Sequence, residues 1–167
     1  MRTLAPVSLL LLALASSFAV AAEPEARREI LGLRLDMTKE EAEARLKQIG
    51  KFVRDEKKQQ QIWEAKDKSY SHIIVGYEKT GPGLRYVTAV AREDKDAERM
   101  RYAEIGKVEA ARQAGDPAIK NFNYEWSLPA VKGHPEMLVI ARGRDPEFLS
   151  TYSLKRTGEN KEEKAST

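Results

Sequence analysis

Two stretches of the chain, VGYEKTGPGLRYVTAVAR at 75–92 and VIARGRDPEFLSTYSLKR at 139–156, share an outline at a spacing of 64 residues. Each reads as a strand rich in β-branched or aromatic residues, a turn around a proline, and a second strand. Val75 and Val139, Pro82 and Pro146, and Arg92 and Arg156 coincide at that spacing; Leu84 stands against Phe148 and Val90 against Leu154. Other landmarks keep nearly the same interval. Gly50 and Gly115, each closing a helix-like stretch, are 65 apart, and Trp63 and Trp126, each before its hairpin, are 63 apart. A repeat on this scale is a supersecondary unit whose apolar face needs a neighbour. The expected fold class is therefore α+β. Two tandem helix-plus-antiparallel-strand units, about 30–92 and 106–156, would form one sheet with the helices packed against it.

The first helix is the best marked. In DMTKEEAEARLKQIG, Thr38 and Glu41 make a capping box, acidic residues fill the first turn, and Gly50 sits at the stop. Ala42, Leu46 and Ile49 form its apolar stripe. Its glutamates Glu40, Glu41 and Glu43 suit the positive end of the helix dipole, which accounts for them without catalysis. ILGLRL before it (30–35) reads as a short strand. KFVRDEKKQQQIWEAKD reads as one or two polar-faced strands anchored by Trp63, and Ile73, Val75 and Tyr77 alternate in the next. The segment 93–105 is too charged at its start for a core and reads there as a loop. KVEAARQAG (107–115) reads as the second helix, with Val108, Ala111 and Ala114 inward. NFNYEWSL has the cleanest two-residue period: Phe122, Tyr124, Trp126 and Leu128 share one face, and Asn121, Asn123, Glu125 and Ser127 the other.

GLRLDMTKEEAEARL resembles the opening of the small outer-membrane lipoprotein A family, whose pattern is Gly-Met-Thr, then Glu-Glu-Val, then Leu-Gly-x-Pro. Met37, Thr38, Glu40, Glu41 and Leu46 match in type and spacing; Asp36 replaces the glycine, Ala42 the valine, and no proline follows Gly50. That family shares a helix-plus-antiparallel-sheet unit with the β-lactamase inhibitor protein, in which the unit is duplicated. The resemblance implies a non-enzymatic protein that binds other envelope proteins through a sheet face or its loops.

The start of the chain, MRTLAPVSLLLLALASSFAVAA, has one positive charge, an apolar run and small residues at an A-x-A site, the order of a secretory signal peptide. Cleavage near Ala21 or Ala22 would leave a single domain at 23–156 and a polar, solvated tail at 157–167. The apolar run is shorter than the roughly 20 residues that span a bilayer, so the mature chain is expected without a membrane span, periplasmic or secreted. There is no cysteine. Neither a disulfide nor lipidation through an amino-terminal cysteine is therefore available, and packing alone must hold the fold. The net charge of +3 is spread over mixed signs with no basic block, unlike the basic stripe of a nucleic-acid binder. The expected partner is an envelope or secreted protein, with no nucleic acid; the oligomeric state is not legible.

No nucleophile-elbow, zinc-protease or phosphate-loop pattern occurs, and no cofactor is expected. His72 and His134 are the only histidines; each lacks the neighbouring partners that catalysis or metal binding requires. Two carboxylates with a histidine would be the basis of a small hydrolase, the alternative from another class, and inhibition of a secreted enzyme is a third reading. Among the aromatic residues, Trp126 belongs to the core by its strand pattern. Tyr70, Tyr86 and Tyr152 are the expected exposed binding anchors, since tyrosine concentrates binding energy at interfaces.

Overall fold

The computed structural model describes residues 25–56 and 59–157. The predicted signal peptide, 1–22, and the predicted tail beyond Thr157 lie outside the described residues. The described chain is built on one eight-stranded antiparallel sheet. Its first four strands are β1 (Gly50–Glu56), β2 (Gln60–Ala65), β3 (Tyr70–Tyr77) and β4 (Leu84–Ala91). The others are β5 (Arg112–Gln113), β6 (Phe122–Leu128), β7 (Met137–Gly143) and β8 (Thr151–Arg156). In space they run β1-β2-β3-β4-β8-β7-β6-β5. Two four-strand meanders thus meet at their last strands, β4 against β8, with Val87 opposite Leu154 and Ala89 opposite Tyr152.

This order gives the sheet a topological two-fold between β4 and β8. The row Trp63–Ile73–Ala89–Tyr152–Ala141–Tyr124 is matched by Trp126–Val139–Leu154–Val87–Val75–Gln61, read from the opposite edge. The two tryptophans therefore hold equivalent places, as their spacing suggests. The hairpins do not superpose at 64, however. Ile73, Val75 and Tyr77 map onto Met137, Val139 and Ala141, all buried. In the second strand, half-buried Val90 maps onto Leu154, which is fully buried. The connection between β3 and β4 is residues 78–83 and that between β7 and β8 is 144–150, one residue longer. Because side chains alternate with a period of two, one residue turns the whole strand over.

Among the described residues there is one substantial helix, α1 (Lys39–Ile49), so the expectation of two tandem helix–strand units is corrected to a mostly-β arrangement. α1 has the predicted capping box: Glu41 N–H donates to Thr38 Oγ1, 3.2 Å, and Thr38 N–H to Glu41 Oε2, 2.8 Å. Ala42 and Leu46 are fully buried beneath it. Gly50 stops α1 in extended conformation and opens β1 at once; a Cβ there would stand 2.7 Å from the Glu64 carbonyl. The predicted second helix is instead a single 3-10 turn (Val108–Ala110) followed by edge strand β5. A nine-residue stretch with two alanines in its stripe has little apolar area to hold it helical. Pairing of Arg112 with Glu125 and Gln113 with Tyr124 takes it instead. ILGLRL is likewise a tight turn rather than a strand, with Ile30 and Leu33 exchanging backbone hydrogen bonds around Leu31 and Gly32 at positive φ.

What replaces the second helix is irregular chain. Ala26, Ile30, Leu33 and Leu35 of the amino-terminal segment are buried against the middle of the sheet. Tyr152 on β8 pins that segment, its hydroxyl donating to the carbonyls of Arg27, 3.1 Å, and Glu29, 3.3 Å. Further along, Met100, Tyr102 and Ile105 are buried from the linking segment, which carries the four-residue α2 (Tyr102–Ile105). The Tyr102 ring packs against that of Tyr124, 4.8 Å between centres and tilted by 59°, and Trp126 Nε1 donates to the Lys107 carbonyl at 2.9 Å. All of this cover lies on one face.

Candidate functional site: the open face of the sheet

Residues alternate along each strand, so the partners of the buried rows define the opposite face. Across its middle run Ile62, Ile74, Thr88, Ser153 and Ile140, each directly opposite the next. Val90 and Thr151 lie in the row on one side. Tyr86, Lys155 and Leu138 lie in the row on the other. These side chains keep partial exposure, and Lys155 is exposed. Apart from Lys155, the exposed charges lie toward the margins: Glu64 and exposed His72 near one corner, Arg142 on the other meander, and Arg112 at the far edge. Two apolar patches, Ile62 with Ile74 on one meander and Leu138 with Ile140 on the other, thus flank a polar strip of Thr88, Ser153 and Lys155, and apolar surface bounded by polar groups is the usual anatomy of a protein interface. Seven interstrand spacings of about 4.8 Å and strands near six residues give roughly 34 by 20 Å. That is close to the ~800 Å² a partner contributes to a standard interface.

Two features fix the surface in place. Tyr86 stands opposite Gly76, and its ring comes so close to that glycine that a Cβ on Gly76 would collide with Tyr86 Cε1 and Cζ. The Tyr86 hydroxyl is hydrogen-bonded to Gln60 on β2, and the Arg85 guanidinium lies 5.2 Å from the ring centre. The second feature is Glu125, the buried charged side chain among the described residues, at 8% exposure. It is covered by its ion-pair partner Arg112, and Asn123 Nδ2 donates to its Oε1 at 3.2 Å. Both lock side chains that would otherwise lose rotamer freedom on binding, which lowers the cost of association.

The three tyrosines expected as exposed anchors separate. Tyr86 is on the open face, half-buried. Tyr70 and Tyr152 are buried, at 5% and 1% exposure, which removes them from any surface contact. Burial pushes both phenols well above the ordinary tyrosine pKa. The signal that would have sorted them is register: Tyr152 pairs with Ala89 and Ala141 in the covered rows, whereas Tyr86 pairs with Gly76.

No family model, curated protein or solved structure matches the chain. The site therefore rests on its own geometry. His72 is exposed at the margin, opposite Glu64. His134 closes a turn with Val131, and its Nδ1 lies 3.8 Å from Asp36 Oδ1. Burial works against ionisation of Asp36, but the Arg34 hydrogen bond and its charge hold the carboxyl below the usual range. Among the described residues, no three His, Asp or Glu side chains gather as metal ligands, and no helix is long and apolar enough to cross a membrane. Sequence reasoning missed the central row of the open face. Ile62, Ile74 and Ile140 look like core residues until the register assigns them to the other side.

Proposed function

We propose that the protein is an exported, non-enzymatic binding module that holds another envelope or secreted protein against the open face of its sheet. The observation that carries this is the one-sided cover of an eight-stranded sheet whose other face keeps isoleucines partly exposed on both meanders. Monomeric proteins rarely expose such patches without a use for them. Tyr86 with Arg85 beside it supplies the residue types that dominate binding energy. The resemblance of residues around 37–46 to the small outer-membrane lipoprotein A family agrees with this reading. So does the signal-peptide pattern, and the missing cysteine implies a partner met without lipid tethering. A hydrolase would need His72 or His134 beside a buried carboxylate, and the buried one, Glu125, is engaged by Arg112 and Asn123.

The test is site-specific photocrosslinking in intact cells, with the crosslinker at position 74, 86 or 140 and, as control, at exposed Lys47 on α1. One partner band should form from the three face positions and not from 47, and Ile74→Glu with Ile140→Glu should abolish it. Equal yields from position 47, or capture unaffected by the double variant, would sink the proposal.

A further inference from the structure

A second place on the molecule, at the end of the sheet, gathers groups of different chemistry. Where β4 ends and β8 begins, a cleft of about 780 Å³ opens between the linking segment, the head of β6 and the β7–β8 connection. Its cationic lining is Arg92, Arg99, Lys120 and Arg144, against the carboxylates Glu93 and Asp145. A smaller hollow, sharing Glu93, Arg144 and Ser150, extends it toward Arg142.

Most of these charges are already used. Arg92 ties strands together, with Nε donating to the Asp67 carbonyl at 2.8 Å and Nη2 to that of Ala65 at 3.2 Å. Asp145 accepts from the backbone N–H of Glu147, 2.9 Å, and Phe148, 3.1 Å. Arg99 Nη2 donates to the other Asp145 oxygen at 3.2 Å, and its guanidinium lies 4.0 Å from the Phe148 ring centre. Those bonds hold the Asp145 carboxyl below the ordinary range, the two backbone donors contributing most. Asp145 is thus spoken for, and so is Arg99.

Lys120 and Arg144 are different. Both are exposed, and among the described residues neither has an ion-pair partner; of the two carboxylates in the lining, Asp145 is held by Arg99 and the Glu147 and Phe148 amides. Lys120 is also held in a left-handed backbone conformation, φ 55°, which costs an L-residue roughly 1–2 kcal/mol. The turn that imposes it is closed by Lys120 N–H to the Pro117 carbonyl and Asn121 N–H to that of Asp116, both 3.0 Å. A glycine or asparagine would fit that conformation more cheaply. Beside the free cations the lining is apolar, with half-buried Phe122 and Phe148 and buried Leu149.

We propose that this cleft binds a single carboxylate or phosphate carried on a flat apolar body, the anion toward Lys120 and Arg144 and the body on Phe122 and Phe148. Charge-assisted hydrogen bonds favour the anion, and the Phe122 ring favours a flat carrier by stacking, beside Phe148, whose ring already carries the Arg99 guanidinium. The same chemistry occurs in a free aromatic anion and at a peptide terminus ending in phenylalanine.

The experiment is NMR titration of the ¹⁵N-labelled protein with phenyl phosphate, inorganic phosphate, and a short peptide ending in phenylalanine as the free acid or the amide. Phenyl phosphate should shift the amides around 120–122 and 144–150 and bind at least fivefold more tightly than inorganic phosphate. Lys120→Gln with Arg144→Gln should weaken it at least tenfold at an unchanged melting temperature. Tighter binding of the free-acid peptide, lost in the amide, assigns the site to a chain terminus; the reverse order assigns it to a free small anion. Shifts spread over the whole surface, or an affinity indifferent to the double variant, would overturn the proposal.

Discussion

Tyr152→Phe separates a structural from a binding role for a residue that sequence alone placed at the surface. The phenol is 1% exposed at the middle of the covered face, and its hydroxyl faces two carbonyls of the amino-terminal segment, Arg27 and Glu29. Phenylalanine keeps the ring and its packing, so the change removes one donor and leaves those acceptors without it. Stranding a buried polar group costs about 1–3 kcal/mol. For a domain of this size that lowers the melting temperature by roughly 3–10 °C. Urea unfolding followed by the fluorescence of Trp63 and Trp126 should show a lower midpoint at unchanged slope. Hydrogen exchange should localise the damage. The amides of Arg27 and Lys107, which bond to Ile105 and Glu25 across the same segment, should lose protection first. Tyr86→Phe is the companion, since its hydroxyl bonds only the Gln60 side chain on the open face and pins no buried segment. A Tyr152→Phe protein within about 0.5 kcal/mol of wild type, the scatter of ordinary surface changes, would refute the pinning role. So would unchanged protection of those two amides.

Thr38→Ala removes half of the capping box and should cost about 1 kcal/mol in urea unfolding; no measurable change would mean that the packing of Leu46 alone holds α1. Gly76→Ala drives a methyl into the Tyr86 ring, which should cost about 1–3 kcal/mol and abolish capture by the open face, whereas Tyr86→Ala should abolish capture with the fold intact. Stability should also fall in alkali. Burial first, then Tyr124 and Asp145, pushes Tyr102 up to about 12, and burial raises Tyr70, Tyr77 and Tyr152 as well. Unfolded phenols ionise near about pH 10, so above that pH the unfolded chain sheds protons the native one keeps. The stabilisation is complete below pH ~10 and is lost through the Tyr102 value near 12. The urea midpoint should hold between pH 8 and 9 and drop by pH 11, and a level midpoint to pH 11 would contradict the burial of these phenols.

The features legible in the sequence were those fixed by local chemistry. The Thr38–Glu41 box specified α1, the alternation of Phe122 to Leu128 specified β6, and the spacing of Trp63 and Trp126 anticipated equivalent places in one sheet. The illegible features depended on register and on partners far along the chain. Val90 and Leu154 fell on opposite faces because one loop is a residue longer than the other. Residues 107–115 carry a helical pattern, yet the edge of β6 supplied hydrogen bonds that a short, alanine-poor-in-area helix did not offset. Met100, Tyr102 and Ile105 were hidden in a segment whose charges suggest a loop, and Ile74 and Ile140 cannot be told from core until pairing assigns their side.

The open face poses a physical question that strand propensity does not answer. An antiparallel sheet with one solvated face normally alternates apolar inside and polar outside. Here β8 obeys, presenting Thr151, Ser153 and Lys155, while its neighbours present Thr88 with Val90 and Tyr86 on one side and Leu138 with Ile140 on the other. Strand formation would be satisfied by threonine throughout, since it fits a pleated, half-buried surface as isoleucine does. The amino-terminal segment, α1 and the linking segment, meanwhile, all pack on the opposite face, fixed there by Tyr152, Leu46 and Trp126. None can cross without unmaking that core. The isoleucines of the open face thus lack cover from any of these segments, and on the proposed reading the term that favours keeping them there is contact with a partner's surface.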